Sequence, residues 1–325
     1  MEDFGLVRLG MTDITVSRIC VGTWSWGSRL VWGYGRAYGE QDVCAAYSES
    51  IRRGVNFFDS AEIYGMGSSE RLLGGCIKGS PEGTRPVIAT KFTPMFRWRK
   101  ASLGKALAKS LRRLGMDNVH LYQVHQMDSV KKIPLWMDAM ADAYDRNLIG
   151  AIGVSNYCPQ HLEVAIDHLG KRGLKLASNQ MHLSLLFRRH EKNGLLRMCR
   201  DKNITFLAYM PLAWGMLAGK FTPKTPPRGL IRPRVVSRKL VGRSAPLLKV
   251  MNDIAWKVPD RTVAQVAINW VRAKGAIPIV GVKTLKQAAE DIGALGWSLS
   301  QNETEELDSA SDALGEEPLR TFWTS

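Results

Sequence analysis

The chain has 325 residues and a formal net charge of +15; 45% of its residues are hydrophobic and 23% charged, a globular mixture rather than a disordered or fibrous one. Its longest apolar stretches, near Met210–Gly219 and Ala276–Val282, fall well short of the ~18 residues that cross a bilayer. The opening MEDFGLVRLG has neither the apolar core of a secretory signal nor the Ser- and Arg-rich look of a transit peptide, so membrane insertion and secretion are excluded and a cytoplasmic protein is expected, with a plastid address open if a transit peptide has been removed.

In chain order, Val7–Arg8 and Thr15–Val16 read as a hairpin around Gly10. Eight β-branched or apolar runs follow: Ile19–Trp24, Val55–Ser60, Val87–Phe92, Val119–His125, Ala151–Asn156, Leu176–Met181, Ile204–Pro211 and Ala276–Val282. Between them lie stretches whose apolar residues recur at three and four, the helical period: Asp42–Arg53, Ser102–Leu114, Ile133–Asn147, Pro159–Arg172 and Thr262–Lys274. The runs begin 25 to 36 residues apart, except for a 72-residue gap before the last. Eight strands, each followed by a helix, predict an α/β fold of the (β/α)8 TIM-barrel class, as a single domain over residues 1–325. The hairpin would close the barrel bottom, and a long Pro- and Arg-rich loop, Phe221 to Arg243, would stand at the top before strand eight. A doubly wound sheet is the alternative, but its Gly-rich turn is missing after the first run, where Gly22 leads into TWSWG. The tail from Asn302 reads as a final helix ending before Pro318.

Cys20, Cys44, Cys76, Cys158 and Cys199 are scattered, odd in number and contain no C-x-x-C, which fits a reducing compartment and argues against a disulfide framework or a cysteine zinc site. The six histidines show no ligand spacing, so no metal is expected. The positive charge is concentrated: between Lys202 and Asn252 stand ten Lys or Arg and no Asp or Glu. Such a stretch suits an anionic partner such as a phosphorylated small molecule. No nucleic-acid-binding motif accompanies it, so no specific nucleic acid is expected.

Catalytic groups of such barrels sit at the C-terminal ends of the strands. Those positions hold Asp59, then Tyr64, then Lys91, then His125. A tyrosine hydroxyl is too weak an acid to protonate an alkoxide well at neutral pH. A lysine ammonium beside it would pull its pKa down, an aspartate would keep the lysine charged, and a histidine could orient a carbonyl oxygen.

The ordered series N56-F-F-D-S-A-E-I-Y-G65, A89-T-K-F92, L121-Y-Q-V-H125, G153-V-S-N156, S178-N-Q180 and G215-M-L-A-G-K220 resembles the aldo-keto reductase family from about Leu6 to Leu299. The resemblance implies a barrel that binds NADPH/NADP+ and reduces a small-molecule carbonyl, with Tyr64 as general acid, Lys91 and Asp59 tuning it and His125 orienting the carbonyl. It further implies that Ser155, Asn156 and Gln180 bond the nicotinamide carboxamide and that Tyr209 stacks on the ring. Pro211, Leu212, Gly215, Leu217 and Lys220 would line the pyrophosphate. Gly281, Lys283, Gln287, Glu290 and Asp291 would hold the adenosine end, with Lys283 and Arg228 toward the 2′-phosphate. Gln126, Met210, Val280 and Asp291 depart from the commonest family residues. T23-W-S-W-G27, L30-V-W-G-Y34, S69-E-R-L-L-G74, R172-G-L-K-L-A-S-N-Q180 and A294-L-G-W297 look like the plant plastid and cyanobacterial branch, which includes pyridoxal reductases. Trp24, Trp26, Trp32 and Gln126 are then the expected substrate pocket. A general aldehyde reductase and an NADPH-sensing subunit like the potassium-channel β subunits are the competing expectations. The sequence leaves the oligomeric state open.

Overall fold

The computed structural model describes residues 5–126, 129–222, 224–225 and 236–315. Eight short parallel strands close into a barrel in the order β10-β3-β4-β5-β6-β7-β8-β9. They are β3 Cys20–Gly22, β4 Phe57–Asp59, β5 Val87–Phe92, β6 Leu121–Val124, β7 Ile152–Ser155, β8 Leu176–His182, β9 Thr205–Tyr209 and β10 Ile277–Val280. Every run expected from the sequence holds one of these strands, β8 extending one residue beyond its run to His182. The preceding hairpin, β1 Val7–Arg8 with β2 Thr15–Val16, pairs Val7 with Val16. Its Leu9 and Val16 join the barrel's inner core with Cys20, Phe57, Ala89, Leu121 and Leu207, so the hairpin plugs the bottom. No helix among the described residues is long and apolar enough to cross a membrane.

Strand side chains alternate between faces, and that alternation sets the site. Phe57, Ala89 and Leu121 fill the interior layer, so two residues on, Asp59, Lys91 and Gln123 also point inward, one layer nearer the top. Phe58, Ile88 and Tyr122 point outward and pack with the helices. The register keeps these groups on neighbouring strands, with Gly22 paired to Asp59, Lys91 to Gln123 and Ser155 to Gln180. A Cβ at Gly22 would come within 2.7 Å of Ile279 Cγ2; only glycine lets the floor of the cleft close there.

Two expectations are corrected here. The long loop before β10 is helical at its end: Ser237 caps helix Arg238–Arg243 by accepting from Leu240 N at 3.1 Å, and helix Ala245–Trp256 follows. Where a reducing compartment and no disulfide framework were expected, Cys44 and Cys76 are joined as a disulfide between helices Glu40–Arg52 and Ser68–Lys78, with Cα atoms 5.4 Å apart. Their facing helices bring together residues 32 positions apart, which their spacing alone does not disclose.

Candidate active site

The top of the barrel opens into a cleft of about 350 Å³. On its floor the buried Lys91 ammonium bonds the Asp59 carboxylate, donates to Ser60 O at 2.8 Å and approaches Tyr64 Oη at 3.3 Å. Tyr64 arrives on the turn Tyr64–Gly67, which follows β4 after a short connection. The second carboxylate oxygen of Asp59 accepts from Gln123 Nε2 and Gln180 Nε2, both at 3.0 Å. One carboxylate thus faces a cation and two amides, which compensates its removal from water.

His125 follows β6 and lines the same cleft, its ring edge-on to Tyr64 at 5.6 Å between centroids. Burial, aided by the Lys91 charge, pushes His125 well below the ordinary imidazole range, so its ring is neutral at physiological pH. For Tyr64 the outcome differs from the expectation. Burial dominates and raises the hydroxyl above its ordinary value; the Lys91 charge opposes that rise without overcoming it. Lys91 is itself held above the usual lysine range: burial works against its charge, but Asp59 and Tyr64 outweigh burial. The cluster therefore holds one proton on Tyr64 and one positive charge directly behind it.

The cleft gathers most of the expected residues: Trp24, Trp32, Gln126, Ser155, Asn156, Gln180, Tyr209, Pro211, Leu212, Gly215, Lys220, Gly281, Lys283, Gln287 and Asp291 all line it. Several of their polar groups are already engaged. Ser155 Oγ donates to Gln180 O at 2.9 Å, Asn156 Nδ2 to His125 O at 3.1 Å, and Tyr209 Oη to Asn156 Oδ1 at 2.9 Å. Gln180, expected to meet a carboxamide, turns its amide nitrogen onto Asp59. Thr284 caps helix Leu285–Ile292 by accepting from Gln287 N, and Gln287 and Asp291, four residues apart, then share its cleft-facing side.

Three expected residues lie elsewhere. Trp26 is fully buried and donates its indole N–H to Val282 O at 2.8 Å; it braces the segment leading to Lys283 rather than facing a ligand. Leu217 is core. Glu290 sits off the cleft-facing side of its helix, 4.0 Å from Lys220. Arg228 lies outside the described residues.

Trp214, which the sequence reading passed over, completes an aromatic wall. It stacks on Trp32 at 5.5 Å and meets Trp24 edge-on at 5.5 Å. Trp214 and the preceding Ala213 hold left-handed φ values of 61° and 47°, a conformation that side chains adopt only when surrounding contacts enforce it. Lys283 Nζ lies 4.4 Å from the Trp32 ring centre. The cleft therefore has a polar, proton-bearing floor, an indole wall and a cationic far end.

A model of the Aldo/keto reductase family matches residues 18–312. Over 319 residues the chain is 36% identical to the chloroplastic pyridoxal reductase of Arabidopsis thaliana, covering 94% of this chain and 86% of that one. It is 28% identical to aldo-keto reductase yakc [NADP(+)] of Schizosaccharomyces pombe, covering 82% of each. Among solved structures, the glycerol dehydrogenase AKR11B4 of Gluconobacter oxydans superposes with a TM-score of 0.83 at 25% identity over 99% of both chains. With the family model spanning nearly the whole barrel, the chain belongs to the aldo/keto reductase family, enzymes that reduce carbonyl groups with a nicotinamide cofactor.

Proposed function

We propose that the protein reduces an aldehyde to an alcohol with NADPH as reductant, and that pyridoxal, reduced to pyridoxine, is its substrate. The observation that carries the reading is the Tyr64–Lys91–Asp59 chain on the floor of a cleft walled by Trp24, Trp32 and Trp214. A carbonyl oxygen bound between Tyr64 Oη and the His125 ring is polarised by two neutral groups. His125, held neutral, orients that oxygen without competing as an acid. Tyr64 keeps its proton until negative charge grows on the oxygen, then donates it; the Lys91 ammonium stabilises the phenolate left behind, and Asp59, fixed by Gln123 and Gln180, keeps Lys91 charged.

The residues present fit a dinucleotide. Amide and hydroxyl groups of Ser155, Asn156 and Gln180 line the cleft with Tyr64, and Lys220, Lys283 and Gln287 line it too. A reduced nicotinamide supplies the hydride. Tyr209 offers it a ring face, its opposite face being stacked on His182 at 5.4 Å. Lys283 is the group that favours a 2′-phosphate and hence NADPH. Support for pyridoxal comes from the flat aromatic wall, which suits a planar ring, and from the Arabidopsis relative.

The test follows NADPH absorbance with pyridoxal beside a panel of simple aldehydes and ketones. A pyridoxal rate well above the panel is expected, with turnover falling at least about 100-fold in Tyr64→Phe while NADP+ binding is retained. Comparable rates across the panel would make it a general aldehyde reductase. Loss of turnover and cofactor binding together in Tyr64→Phe would make Tyr64 structural. Tight NADPH binding with no turnover on any carbonyl would favour a cofactor-sensing protein.

A further inference from the structure

At the far end of the cleft Asp291 presents an unusual group. Its side chain is 6% exposed and lines the cleft, yet among the described residues no donor reaches its carboxyl, and the cation nearby, Lys220, pairs with Glu290 instead. Two carboxyls thus stand side by side on one helix with a single ammonium between them. The packed neighbours supply no compensation. Gln265, from helix Val263–Ala273, is neutral and bonds Glu290 O at 2.8 Å; on helix Glu40–Arg52, Glu49 pairs with Arg52 and Arg53, and Asp42 accepts from Gly39 N. Lys283 and Gln287 line the same cleft, Gln287 accepting from Lys283 N. A carboxylate this buried, with no donor and only one ammonium shared with a neighbouring carboxylate, favours its protonated form.

We propose that cofactor binding is coupled to a proton at Asp291: the carboxyl meets the adenine in its neutral form, donating to one ring nitrogen and accepting from the exocyclic amine. The inference rests on the nicotinamide-dinucleotide reading above and concerns how that site is regulated. The chemistry follows from shape. An asparagine side chain matches an adenine edge with one donor and one acceptor; a carboxylic acid has the same shape and the same pair, whereas a carboxylate offers acceptors only and repels the ring nitrogen. Burial, reinforced by Glu290 and opposed by Lys220, lifts this carboxyl to about 7, so the coupling falls in the physiological range. Asp291→Asn is then the permanently neutral mimic.

The experiment is titration calorimetry of NADP+ and NAD+ with the wild type and Asp291→Asn from pH 5.5 to 8.5, in two buffers of different ionisation enthalpy. NAD+ lacks the 2′-phosphate, whose own ionisation would otherwise overlap. Relative to Asp291→Asn, wild-type affinity falls about tenfold per pH unit above neutrality, and binding at pH 8 takes up close to one proton; the variant takes up none. Glu290→Gln shifts the wild-type fall toward lower pH, because the remaining carboxyl loses the neighbour that favours its proton. Parallel pH profiles for wild type and Asp291→Asn, or binding with no proton uptake, overturn the coupling. Absence of binding by either protein at pH 6 overturns it together with the cofactor reading, so the two failures are distinguishable.

Discussion

Lys91→Met isolates the electrostatics of the floor. Lys91 is wholly buried, and its ammonium neutralises an Asp59 side chain that is 3% exposed. Removing the lysine leaves Asp59 with two amide donors, Gln123 and Gln180, but no counter-charge. Breaking a buried pair from one side costs about 3–5 kcal/mol, a loss that a fold of about 5–15 kcal/mol survives. Asp59→Asn strands the ammonium and costs a similar amount. The double variant leaves no uncompensated charge and recovers most of one single-variant loss. Urea unfolding of the four proteins measures this cycle, and the two singles together should exceed the double by at least about 2 kcal/mol. Turnover stays lost in all three variants, since the phenolate no longer has a held cation behind it. Additive stability losses would refute the reasoning: the pair would then not be electrostatically coupled, and Asp59 would not be what keeps Lys91 charged.

Two other groups make separate predictions. Lys283→Ala weakens NADP+ by about 10- to 100-fold, the worth of a charge-assisted hydrogen bond, and leaves NAD+ nearly unchanged; equal losses measured by calorimetry would remove Lys283 from the 2′-phosphate. His182 is buried between Phe187 and Tyr209, both its ring nitrogens lack partners among the described residues, and burial lowers it to about 3. Its folded value lies below the unfolded one, so its contribution is complete above about pH 6.5 and is lost as pH falls toward 3, about 2 kcal/mol being gone by pH 5. His182→Leu flattens that acid limb in urea unfolding; an unchanged slope would assign acid sensitivity to other groups.

The barrel and its floor were legible because both depend on short-range periodicity. Strands recur at nearly constant spacing, and Asp59, Tyr64, Lys91 and His125 stand at strand ends whatever the helices do. Gln123 carried the same signal unread: it lies two residues before His125, and that parity turns it inward onto Asp59. Trp26 was misplaced because strand alternation stops at Gly22; beyond it a turn, not a period, decides which of two tryptophans faces the cleft. Trp214 becomes part of the wall only through left-handed backbone in a loop far along the chain from Trp24 and Trp32. The pairing of Cys44 with Cys76 depends on how two helices pack. The direction for Tyr64 needed burial, which the sequence does not weigh against the Lys91 charge.

The bonds at Asp59 have a consequence for dividing the molecule. Its carboxylate is tied to β5 through Lys91, to β6 through Gln123 and, across to the second half of the barrel, to β8 through Gln180. A half-barrel cut between β6 and β7 would carry all four expected catalytic side chains and still lack one of the donors that hold them. Shuffling of quarter-barrels between relatives therefore keeps this bond only where residues 59 and 180 still match, although 121 positions separate them.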